Sequence, residues 1–153
     1  MDALRQYGAA PKEDMRALWR RIVFSILISN TDDHLRNHGF LYAGPDGWRL
    51  APAYDLNPVP TDTRPRVLTT AIDLEDGTAS LERAMEVAEY FELDARTAGA
   101  IAAEVGKAVA TWRAAAAQHG LTAPQINRMA SAFEHEDLQT ALKPRSPTRK
   151  TSR

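Results

Sequence analysis

Residues 13–38 read EDMRALWRRIVFSILISNTDDHLRNH, and the change of character halfway along this stretch decides the fold. Met15, Leu18, Trp19, Ile22, Val23, Ile26 and Leu27 recur at three- and four-residue intervals, which lays one broad apolar face on an α-helix over 13–29. Pro11 suits the first turn of that helix. Asn30-Thr31-Asp32-Asp33 then breaks the period with residues that favour caps and turns over helix interiors. A rigid helix delivering a polar loop is a common way to carry function.

Working outward, Gly39-Phe40-Leu41-Tyr42 and Trp48-Arg49-Leu50 flank Ala43-Gly44-Pro45-Asp46-Gly47, which predicts a β-hairpin. Pro52, Pro58, Pro60 and Pro65 rule out continuous helix beyond it. The β-prone run Val67–Ile72 predicts one short extra strand. Helices are expected at 80–91, 94–118 and 122 to about 133. The last opens on Thr122-x-x-Gln125, a capping-box pattern, and Gly120 ends the one before. Trp112, within an alanine-rich stretch, is expected in the core. The fold class is mainly α (α+β).

The 153 residues suit one domain, 1–142, with a tail at 143–153. Apolar residues make up 44% and charged residues 25%, as in ordinary globular chains. No apolar run is long enough for a membrane helix, and no secretory signal opens the chain, so the expected location is cytoplasmic. Zero cysteines remove disulfides, thiolate zinc sites and cysteine nucleophiles. The net charge of −1 is uneven: KPRSPTRKTSR at 143–153 holds five Lys/Arg and no acid, leaving 14 basic and 20 acidic groups on the other 142 residues. Such a tail buries little apolar surface and reads as disordered. It makes no case for direct nucleic-acid binding.

The chemistry-bearing residues gather where the helix stops. Asn37 follows Asp32 by five positions, and Asp55 lies just past the hairpin in Ala53-Tyr54-Asp55-Leu56-Asn57. In a kinase lower lobe, one loop carboxylate takes the substrate's hydroxyl proton, an Asn five positions on binds magnesium, and a later Asp chelates the metal at the ATP phosphates. Mg²⁺ wants oxygen ligands of this kind. Asp-x-x-x-x-Asn alone is weak; the order helix, loop, hairpin, Asp strengthens it.

Ile28-Ser29-Asn30-Thr31-Asp32-Asp33-His34-Leu35-Arg36-Asn37 followed by Trp48-Arg49-Leu50-Ala51-Pro52-Ala53-Tyr54-Asp55-Leu56 resembles the signature of HipA-like serine/threonine kinases, which include toxins of bacterial HipA–HipB toxin–antitoxin pairs. The resemblance runs from about Glu13 to Phe133 and covers the C-terminal lobe only. It implies Asp32 as catalytic base, Asn37 and Asp55 as Mg²⁺ and ATP-phosphate ligands, and Asn30 and His34 as loop braces. Asp33 is the rival base, but it stands four residues from Asn37. The resemblance also implies phosphoryl transfer from ATP to a protein Ser or Thr. Its partners would be a HipB-like antitoxin and a translation factor such as glutamyl-tRNA synthetase as substrate.

The eight glycines form no G-x-G-x-x-G, and the four lysines, at 12, 107, 143 and 150, sit on no upper-lobe strand. The expectation is therefore a truncated or split kinase that is inactive without an N-terminal lobe supplying the phosphate clamp. Two rivals remain. A metal hydrolase would use His34 and His38, four apart, with Asp32 or Asp33. A non-catalytic helical module would bind an antitoxin-type partner.

Overall fold

The computed structural model describes residues 1–72 and 76–143. The helix α1 (Asp2–Tyr7) precedes α2 (Pro11–Leu27), and a single 3₁₀ turn at Leu35–Asn37 leads into β1 (Phe40–Tyr42) and β2 (Trp48–Leu50). Then come α3 (Leu81–Glu86), a 3₁₀ turn at Ala88–Phe91, α4 (Ala95–Val109), α5 (Trp112–Gln118), α6 (Ala123–Arg128), α7 (Ala130–Phe133) and α8 (Glu136–Leu142). The strands pair antiparallel, Phe40 opposite Leu50 and Tyr42 opposite Trp48.

The apolar face of α2 is the spine of the core. Met15, Trp19, Val23, Ile26 and Leu27 are fully buried, and the last four pack with Ile101, Ala102 and Val105 of α4 and Leu138 of α8. Trp19 also donates its indole N–H to the Ala84 carbonyl at 3.2 Å, so its single polar atom is satisfied inside the core. α4 and α8 approach closely because Gly106 has no side chain: a Cβ there would stand 2.9 Å from that of Ala141.

The hairpin is tied to α2 by charge. Asp14, 3% exposed, accepts Arg49 Nε at 3.1 and 3.0 Å, Arg49 Nη2 at 3.1 Å and the Leu50 N–H at 3.0 Å. A buried carboxylate is tolerated when its oxygens are filled in this way.

Several expectations change, and the helices expected over 80–91 and 122–133 each divide, at Val87 and at Met129. Val67–Ile72 forms only an isolated bridge, Val67 to Thr78, because the hydrogen bonds of Thr69 and Thr70 go instead to the loop after α2. The helix expected over 94–118 breaks at Ala110–Thr111, where the Thr111 hydroxyl donates back to the Ala108 carbonyl at 2.8 Å. The break turns Trp112 away from the core. It is half-buried, stacked on Phe133 with centroids 4.4 Å apart and covered by the Arg113 guanidinium. Helices α1 and α8 were not expected. The tail lies outside the described residues apart from Lys143. Among the described residues, no helix is long and apolar enough to cross a membrane.

Candidate functional site

The loop that follows α2 begins with a strained residue. The Asn30 N–H reaches the Ser25 carbonyl at 2.8 Å and the Ser29 N–H reaches that of Ile26 at 3.2 Å, the paired bonds of a Schellman helix end. Glycine usually fills the left-handed position of this motif; here Ser29 holds it at φ +53°. A non-glycine residue pays roughly 1–2 kcal/mol there. The cost is offset because the buried Ser29 hydroxyl donates to the Ala132 carbonyl at 2.9 Å and accepts Arg66 Nε at 3.2 Å.

Arg66 is the centre of a polar brace under this helix end. Its Nη2 donates to the Ile26 carbonyl at 3.0 Å and its Nη1 pairs with Asp137 at 2.6 Å. Asp137 in turn accepts the Leu81 N–H at 2.8 Å. His135 Nε2 lies 3.1 Å from the Leu27 carbonyl. Burial, followed by the nearby Arg66 charge, pulls the His135 imidazole below its ordinary pKa, so the neutral ring is favoured. None of this was legible from local spacing, since 66 and 137 are far apart in sequence.

Within the loop, the two neighbouring acids differ in exposure. Asp32 is exposed while Thr31 and Asp33 are buried. Asp32 faces solvent with Arg64 at 3.2 Å, a screened pair worth little. Asn37 is 6% exposed, at the end of the 3₁₀ turn that leads into β1, with its N–H on the His34 carbonyl at 2.8 Å. Asn30 is buried, and its amide donates to Ser25 Oγ at 3.3 Å. His34 is half-buried.

Asp55 is the second strained residue, at φ +56°. Its exposed carboxylate accepts the Asn57 amide at 2.7 Å. Strain of this kind persists where surrounding structure enforces it, and it concentrates at functional sites. The enforcing contacts are on both sides: the Tyr54 hydroxyl donates to the Arg36 carbonyl at 2.7 Å, and the Val59 N–H reaches the Ser29 carbonyl at 3.3 Å. Thr69 and Thr70 N–H groups donate to the Thr31 and Asp33 carbonyls, each at 3.1 Å. The Asp32–Asn37 loop and the Asp55 segment are thus joined through the Tyr54 hydroxyl on the Arg36 carbonyl. Tyr54 is the residue that sequence reasoning passed over, although it adjoins Asp55 in the quoted signature.

Buried polar atoms without a hydrogen bond concentrate here. Asn30 Oδ1, Thr31 Oγ1, Asp33 Oδ1, His34 Nδ1 and His38 Nδ1 belong to the loop, and Arg21 Nη1 belongs to the helix beneath it. Burial lowers the pKa of Arg21, against the pull of Asp14, Asp33 and Tyr54. Its other terminal nitrogen donates to the Ala51 carbonyl, at the start of the segment that carries Asp55.

The donor set decides what such a site would hold. Asp55 and Asn37 offer a carboxylate and an amide oxygen, the hard ligands that suit Mg²⁺ with water and phosphate completing the shell. For zinc, no group of three or more His, Asp or Glu side chains converges among the described residues. His38 Nε2 instead sits 3.1 Å from Asp33 Oδ1.

Comparison with known proteins bears on the family. A protein of Haemophilus influenzae described as "Putative kinase" is 35% identical over 72 residues, which make up 44% of this chain and 21% of that protein. The chain thus spans about a fifth of that relative's length. No solved structure matches. The family model of the HipA-like C-terminal domain matches residues 1–112, a span that contains α1, α2, the polar loop, the hairpin and Asp55; the chain belongs to the HipA-like C-terminal domain family.

Proposed function

We propose that this chain is the metal- and hydroxyl-handling half of a protein Ser/Thr kinase. The observation that carries the reading is the pairing of an exposed, solvent-facing Asp32 with a strained, exposed Asp55 on two segments stitched through Tyr54 and Arg36. Asp32 accepts the proton of a substrate hydroxyl as its oxygen forms a bond to the γ-phosphorus of ATP. The bond from that phosphorus to the bridging oxygen breaks, and ADP leaves with the electron pair. Asn37 and Asp55 would hold Mg²⁺, which supplies neutralisation of the phosphate charge when bound. Ser29, Asn30 and the Arg66 brace hold the loop in register, the kind of support that positioning demands.

The phosphate clamp must come from residues other than those described, in the same polypeptide or another one. The exposed aromatic surface of Tyr7, Phe40, Tyr42 and Trp48 supports a docking role for such a segment. A HipB-like antitoxin and a translation factor such as glutamyl-tRNA synthetase are proposed as partner and substrate on family resemblance alone.

Metal binding tests the reading directly. Mn²⁺ added to the ¹⁵N-labelled chain is expected to broaden the amide signals around Asp32, Asn37 and Asp55, with Mg²⁺ competing. Asp55→Asn should abolish the effect while Asp32→Asn largely keeps it. Broadening that ignores these residues would overturn the proposal.

A further inference from the structure

Behind the polar loop lies a cavity of about 420 Å³ that the phosphotransfer reading leaves unused. Its walls include Leu18 and Ile22 of α2, Leu68 and Ile72 of the segment after Asp55, and Phe91, while Asp33 and His38 also line it. That size and that mix of apolar wall with few polar groups is what small-ligand and side-chain sites have. Asp33 is 8% exposed. His38 Nε2 approaches its Oδ1 to 3.1 Å, yet out of line for a hydrogen bond, so Oδ1 is buried without one. An acceptor left in this state costs free energy that an incoming donor would recover.

The cavity's place in the chain says which donor. Asp32 and Asp33 are consecutive, one facing solvent and the other the cavity. The exposed Leu35, on the same loop as Asp32, also contributes to the lining, so the cavity borders the loop that would receive the substrate hydroxyl. Arg21 stands close enough to Asp33 for the two charges to interact, so a neutral N–H suits the carboxylate better than a second cation. An aliphatic side chain flanked by amide N–H groups meets both requirements.

We infer that the cavity is an acceptor-side subsite: it seats an apolar side chain next to the serine or threonine that receives the phosphoryl group, with a backbone N–H of that segment donated to Asp33. This assignment rests on the phosphotransfer reading of Asp32.

The test uses the whole chain, ¹³C-labelled at methyl groups, and the blocked tripeptides acetyl-Leu-Ser-Leu-amide and acetyl-Gly-Ser-Gly-amide. The leucine peptide is expected to shift the methyl signals of Ile22, Leu68 and Ile72 saturably, and the glycine peptide to leave them in place. With Mn²⁺ present, the seryl Hβ signals of the bound leucine peptide should broaden. Filling the cavity by Thr70→Tyr or Ile22→Trp should weaken binding by roughly tenfold or more, and Asp33→Asn by a smaller factor. Thr70 is only half-buried, so that variant keeps the test open where Ile22→Trp fails to fold. Absent methyl shifts, or shifts that survive in the filled variant, would overturn the subsite. Methyl shifts without seryl broadening would also overturn it, provided Mn²⁺ still broadens the amides of Asp32, Asn37 and Asp55. If those amides are untouched while the peptide binds, the metal reading has failed and the acceptor assignment falls with it.

Discussion

Two halves of the molecule bury their residues by opposite rules. In the body made by α2, α4 and α8, what is buried is mostly apolar and tightly fitted, down to a glycine that admits Ala141, and the buried Asp14 has its oxygens filled. In the loop after α2, buried groups are polar, and several have no hydrogen bond. Burial of the first kind stabilises by removing apolar area from water. The second kind costs stability, and sites that depart from the rule of satisfied polar groups are where function is to be sought. The body therefore carries most of the stability, and the loop is where the proposed function is to be sought.

That contrast can be broken by mutation. Trp19→Ala removes the largest fully buried side chain and its hydrogen bond to the Ala84 carbonyl; a loss of about 3–5 kcal/mol is expected in denaturant melts. Asp14→Ala should cost about 1–3 kcal/mol, because it frees the Leu50 N–H and Arg49 together. Arg49 is partly exposed and can turn to water, which limits the loss. Gly106→Ala should cost a comparable 1–3 kcal/mol, roughly, through overpacking against Ala141. If any of these three lost metal binding without losing stability, the division between body and loop would be wrong.

Acidity probes the seam between the halves. The folded state holds His135 below its ordinary pKa of 6.5, so below that pH the unfolded chain takes up a proton that the folded chain resists. Stability is therefore complete above about pH 6.5 and declines as pH falls toward the lowered folded-state value. Thermal melts at pH 7.5 and 5.5 should show the decline, and His135→Gln should flatten it. A curve that is equally steep in the variant would remove His135 from the brace. At the far end of the scale, Asp32→Asn and Asp55→Asn are exposed changes expected to move stability by less than about 0.5 kcal/mol, and Asp55→Asn should also abolish metal binding. A large loss of stability from either would make the residue structural.

Much of the fold was legible because its signals are local. The apolar period from Met15 to Leu27, the Gly/Pro/Asp turn of the hairpin and the Thr122–Gln125 capping box, with Gln125 Oε1 accepting the Thr122 N–H at 2.8 Å, each declare themselves over a few residues. The extra strand did not form as expected because Thr69 and Thr70 had partners in a loop far away in sequence. Trp112 looked like core by composition, and the helix break at Thr111 decided otherwise.

The candidate site divides along the same line. Amino-acid order together with the family resemblance singled out Asp32, Asn37 and Asp55 as candidates, since oxygen ligands spaced around a helix end and a hairpin are a chemical pattern that can be read without coordinates. Which carboxylate faces water and which faces the cavity is a matter of side-chain direction at Asp32 and Asp33. The left-handed turns at Ser29 and Asp55, and the Arg66–Asp137 brace beneath them, depend on partners from across the chain. Spacing proposes candidates because residue chemistry is local; orientation and strain belong to the packed molecule because only long-range contacts can hold a side chain or a backbone away from its own preference.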